Sequence, residues 1–83
     1  MFSSDGVRPL TALGERHAAV VVTVSGDSAE RADRLLALGV TPGARVTMLQ
    51  SFPSVVFLCD QTELAVERGV ADAILVRPVE GRS

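Results

Sequence analysis

The sequence predicts a mainly β fold, a small barrel or sandwich of about five short strands with one α-helix inserted after the first. Three observations carry that prediction. β-branched and aromatic runs alternate in strand fashion, turn-forming residues recur roughly every 8–12 residues, and one stretch alone switches to helical period. A parallel βαβ arrangement would need repeated crossover helices of about a dozen residues, and the chain offers one helix of that order.

Ala18 to Val24 is the first strand, with Val20, Val22 and Val24 on one side and Val21 and Thr23 on the other. Gly26 ends it. Asp27 stands three residues before Glu30 in capping-box spacing, and Ser28 to Leu38 then reads as the helix. Its apolar stripe is Ala29, Ala32, Leu35 and Leu36, with Glu30 and Arg34 as an i,i+4 pair on the polar side. Gly39 occupies the place of a left-handed C-cap residue, and Pro42-Gly43 the centre of a type II turn.

Beyond that turn Arg45 to Gln50 alternates, with Val46 and Met48 on one side, and Val55 to Cys59 is a second apolar run after Pro53; the two form a hairpin. Asp60-Gln61 connects to a partner strand at Glu63 to Val66. Arg68 to Asp72 reads as one helical turn, and Ala73 to Arg77 closes the sheet before Pro78 stops it. The domain is expected at 9–77, with 1–8 and 78–83 as flexible tails.

The 83 residues permit one core, and a hydrophobic content of 47% allows it to form. Tyr and Trp are absent and Phe numbers three, so aliphatic residues must fill it. The eight basic residues, all Arg, are scattered against ten acidic ones for a net charge of −2. There is neither a basic face nor an aromatic stacking platform, which argues against nucleic-acid binding. The lone Cys59 excludes an internal disulfide and suits the cytoplasm. No run approaches the ~18 apolar residues of a membrane span, so no direct membrane insertion is expected.

No catalytic residues can be assembled: His17 precedes the first strand, and Cys59 lies within an apolar one, where it reads as a small buried residue. No C-x-x-C, H-x-x-H or E-x-x-H spacing presents two metal ligands together, and no phosphate loop occurs, so neither a metal site nor a cofactor is expected. The interaction surface is more telling. Val55 to Leu58 is apolar on both faces, so while one fills the barrel, the other, Val56 and Leu58, needs cover from the helix, a second copy or a partner. Leu35 and Leu36 project about 100° apart on the helix, so both need not reach one core. Phe52, at a turn, is a further candidate contact.

The segment Arg34-Leu35-Leu36-Ala37-Leu38-Gly39-Val40-Thr41-Pro42-Gly43-Ala44-Arg45-Val46 resembles the R-L-x-x-L-G-hydrophobic-x-P-G-x-x-V signature of FeoA proteins. Pro53, Glu63 to Val66 and Ala71 to Val76 resemble the family's later strands, and Leu10, Leu13 and the Val20 to Gly26 strand its opening. In place of the P-x-G-x-P loop of many members the chain has Ser51-Phe52-Pro53-Ser54, and it is more acidic than several, with a pI near 5.2.

The resemblance implies an SH3-like five-stranded barrel with an inserted helix, and a cytoplasmic, non-enzymatic module of ferrous-iron transport. Its expected partner is the cytosolic nucleotide-binding domain of the permease FeoB. Leu35, in the helix-to-turn segment, becomes either a candidate contact for that permease or the residue that anchors the helix on the barrel. The same fold ends DtxR-type iron regulators, so a stand-alone regulator domain that binds another regulator segment is the alternative. The strand surfaces also permit a homo-oligomer.

Overall fold

The computed structural model describes residues 6–25 and 29–79. Strands β1 (Arg8–Pro9), β2 (Ala18–Val24), β3 (Arg45–Gln50), β4 (Val55–Cys59), β5 (Thr62–Val66) and β6 (Ile74–Pro78) form one antiparallel sheet in the order β1-β6-β2-β3-β4-β5. Helix α1 (Ala29–Ala37) follows β2, and the single turn α2 (Arg68–Ala71) joins β5 to β6. The sheet wraps a core in which, among the described residues, no polar or charged residue is buried. Phe57 is its largest fully buried side chain, and each buried Leu, Ile or Val contributes about 1.5–3 kcal/mol relative to exposure.

Six strands replace the expected five because Arg8 pairs with Val76 and Pro9 with Leu75. A two-residue strand has no periodicity to read, and the Arg8 end of the expected tail is thereby part of the sheet. Pro78 likewise pairs with Ala19 as the last residue of β6. Of those tails, 1–5 and 80–83 lie outside the described residues, as do Gly26, the cap expected at Asp27 and the helix start expected at Ser28.

Strand β2 does not keep the simple alternation of its valines. A register shift between Val21 and Thr23 opposite β6 inserts one residue and reverses the phase. Ala19 and Val21 are therefore buried, and beyond the shift Val24 packs on the same core. Strands β3 and β4 follow the expected phase, with Val46, Met48, Val55 and Phe57 fully buried.

The apolar stripe of α1 is narrower than expected. Leu35 is buried, Ala32 is half-buried, and Ala29 and Leu36 are exposed, because a helix tangent to a small barrel touches it along one line. Among the described residues no ion pair joins Glu30 to Arg34. The helix ends as its sequence suggests. Gly39, at φ +97°, donates its amide to the Leu36 carbonyl, and Val40 donates to that of Leu35, both at 3.0 Å. Gly43, at φ +93°, then completes the turn in which Ala44 donates to Thr41 at 2.9 Å. That turn is tied to β2 by bonds from Gly43 to the Val21 carbonyl and from Val21 to the Ala44 carbonyl.

Candidate interaction surface

Leu35 is 2% exposed and belongs to the core, so its side chain anchors α1 and is not a surface contact. Of the two readings of Leu35, this corrects the one that placed it on a partner surface and bears out the anchor of the helix. The adjacent Leu36 projects the other way and is 44% exposed, and Leu38, in the turn after the helix, is 46% exposed. Helical geometry separates the pair, and only the packed structure decides which of them faces inward.

Phe52 is the most exposed large apolar residue described, at 75%. Its loop is nevertheless held at the root. The Ser51 amide donates to the Glu15 carboxylate at 3.4 Å, the Arg68 guanidinium donates to the Ser51 carbonyl, and the Gln50 side chain donates to the Ser54 carbonyl. The Phe52–Pro53 peptide is cis. An exposed ring on a restrained loop is the chemistry of an interface anchor.

Val56 and Leu58 lie on the outer face of β4 and are half-buried. Their cross-strand neighbours are Gln50 and Ala65 for Val56, and Thr47 and Glu63 for Leu58. Leu35 of α1 belongs to the core, to which the inward-facing Val55 and Phe57 of β4 also belong. Leu49, exposed where β3 shifts register against β4, adds to the apolar surface.

A groove of about 370 Å³ runs between α1 and the β5–α2 segment. Leu35, Leu38, Val66 and Val70 line it, with the exposed Arg31, Arg34 and Glu67 beside them. Sequence reasoning missed it, because its walls come from segments some 30 residues apart in the chain. A second hollow is lined by Arg16, His17, Ala18 and Val79, where the exposed His17 packs near Gly14.

Among the described residues no group of three or more His, Cys, Asp or Glu is placed to hold a metal ion. Cys59 is buried and its thiol donates to the Gly39 carbonyl at 3.4 Å. Burial, and then the Asp60 carboxylate beside it, push this thiol above its ordinary range. It is therefore poorly suited to act as a nucleophile or thiolate ligand. No helix among the described residues is long and apolar enough to cross a membrane.

Solved structures resemble this arrangement over most of the chain. An FeoA described as an iron uptake regulatory protein matches with a TM-score of 0.79 at 28% identity, covering 88% of this chain and 99% of that one. The FeoA of Stenotrophomonas maltophilia, solved with zinc and described as a procaryotic SH3 domain protein, matches at 0.75 and 27% identity, covering 83% and 88%. IdeR of T. acidophilum matches at 0.83 but with 18% identity; 95% of this chain covers 37% of that one, a likeness of fold alone. No curated protein matches the chain. The FeoA domain family matches residues 8–78, which span β1 through β6. The chain, a mainly β SH3-like fold with one inserted helix, belongs to the FeoA family.

Proposed function

We propose that this protein is a cytoplasmic interaction module of ferrous-iron transport that binds the cytosolic part of an FeoB-type permease and regulates it, without chemistry of its own. The observation that carries this reading is the family match across the whole sheet. The surface supports it: the apolar residues left outside the core, Leu36, Leu38, Leu49 and Phe52, provide contact area and no reactive group. The S. maltophilia relative has been put forward as a ferrous iron transport activating factor.

The working unit is the single module expected at 9–77, extended at its ends by the sheet residues Arg8 and Pro78. Phe52 and the outer strip of Val56 and Leu58 are the surfaces assigned to the partner, and the same strip would serve a second copy. Deleting the gene while leaving the permease intact should change the rate of ferrous-iron uptake, and re-expression should restore it. An uptake rate that does not move would sink the reading.

A further inference from the structure

The turn from Gly14 to His17 carries an arginine where its backbone favours glycine. The His17 amide donates to the Gly14 carbonyl at 3.1 Å, and Arg16, third of the four residues, has φ 70°. That is the pattern of a type II turn, whose third residue occupies the left-handed region and is ordinarily Gly or Asn. A residue with a Cβ is strained there. The turn is fastened to β3 from both sides, since the Arg16 amide donates to the Met48 carbonyl at 2.7 Å and the Met48 amide to the His17 carbonyl at 2.9 Å.

This turn forms one wall of the hollow of about 320 Å³ lined by Arg16, His17, Ala18 and Val79. Ala18 alternates with the buried Ala19 and Val21, so the hollow opens on the outer face of the sheet. The register sets Arg77 of β6 opposite Val20, on that same face and one row from Ala18. Among the described residues the side chains of Arg16 and Arg77 have no hydrogen bond or ion pair. The carboxylates around them are engaged or distant. Glu15 accepts the Ser51 amide at 3.4 Å. Asp60 accepts the amide of Arg45, across Val20 on β3, at 3.4 Å, and it offsets that arginine's charge. Glu63 lies three strands from Ala18, beyond Thr47 and Leu58. At the spacing of neighbouring strands that is about 14 Å, farther than the ~8 Å over which salt screens a charge. Glu80 and Arg82, which follow Val79 outside the described residues, carry opposite charges. The hollow therefore holds an uncompensated pair of arginines and an imidazole against two apolar side chains.

We propose that this hollow binds a small phosphate-bearing anion, with the Arg16 guanidinium and the His17 ring donating to its oxygens and Arg77 supplying charge from the neighbouring row. The planar fork of an arginine matches the oxygens of a phosphate in a bidentate contact. A doubly charged oxyanion uses both arginines, which a singly charged carboxylate or chloride does not. The volume stands at the lower end of small-molecule sites, room for a phosphate group and a small substituent. The strain at Arg16 has its account in the same site, because glycine would relax the turn and remove the guanidinium that the anion needs. The hollow does not include Phe52, Val56 or Leu58, so the site stands or falls independently of permease binding.

The test is an NMR titration of the nitrogen-labelled full chain with inorganic phosphate at slightly alkaline pH, where it is mostly doubly charged, with ionic strength held constant by sodium chloride. Acetate is titrated beside it. Phosphate should saturably shift the amides of Glu15 to Val20, Arg77 and Val79 and the ring protons of His17, with a low-millimolar dissociation constant. Acetate should bind about fivefold more weakly, the scale of one exposed ion pair. Arg16→Gly suits the left-handed backbone, so it should melt no lower than the parent and yet lose the phosphate shifts. Arg34→Gln, exposed on α1, should keep them. Shifts that do not saturate or that map elsewhere, equal affinity for acetate and phosphate, or phosphate binding that survives Arg16→Gly would each overturn the proposal.

Discussion

The Val40 amide donates to the Leu35 carbonyl at 3.0 Å across the left-handed Gly39, and both side chains are buried in the core. One short segment thus ends the helix, reverses the chain and seats two core residues, one on each side of the glycine. A Cβ at Gly39 would meet no atom within 4 Å, so the demand for glycine there is conformational and not steric. Gly39→Ala should cost about 1–2 kcal/mol. Urea unfolding would read this as a lower midpoint with an unchanged slope.

Leu35 and Leu36 are neighbours in sequence and opposites in environment. Leu35→Ala should destabilise the protein by about 2–5 kcal/mol, and Leu35→Glu should unfold it by burying an unpaired charge. Leu36→Glu should stay within about 0.5 kcal/mol of the parent. Circular dichroism melts of the three variants would decide this, and a folded Leu35→Glu protein would place that side chain at the surface after all.

These two residues also mark how much could be read from the chain. The C-cap at Gly39, the Pro42-Gly43 turn, and the phase of β3 and β4 were legible, because each depends on local dihedral preferences or a period of two. The β2 bulge was not legible, since β6 imposes it from some 50 residues away. Strand β1 is too short to show a pattern, and its two residues become a strand only by pairing with β6. Phe52 announced itself through its turn. The groove beside Arg34 had no sequence signal, because periodicity reports which face of an element is apolar but not which distant element lies opposite.

The Cys59 thiol, pushed up by burial and then by Asp60, gives stability a pH dependence of defined sign. The folded state holds this proton more tightly than the unfolded chain does, so the contribution is complete below the unfolded thiol pKa of about 8.5 and is lost as pH rises through the folded value. Unfolding midpoints measured from neutral pH upward should therefore decline in the alkaline range. Cys59→Ala should remove that part of the decline. Thiol reagents at neutral pH should react with Cys59 in the native protein far more slowly than in urea.

Phe52 is 75% exposed on a loop anchored by Glu15 and Arg68. Phe52→Ser should leave the melting temperature nearly unchanged, since a surface substitution away from packed features moves stability by about 0.5 kcal/mol or less. On the proposed function it should weaken the permease complex by about 1–2 kcal/mol, the scale of a truncated aromatic anchor. Equal affinity for parent and variant would remove the loop from the contact surface.

On the proposed function, this small barrel acts by binding the cytosolic part of the ferrous-iron permease. The most direct test is calorimetric titration of the protein into the isolated nucleotide-binding domain of its own organism's permease, with and without guanine nucleotide. Saturable binding, micromolar or tighter, is expected in at least one nucleotide state. Absence of heat in both states, repeated with the full-length permease in detergent, would contradict it.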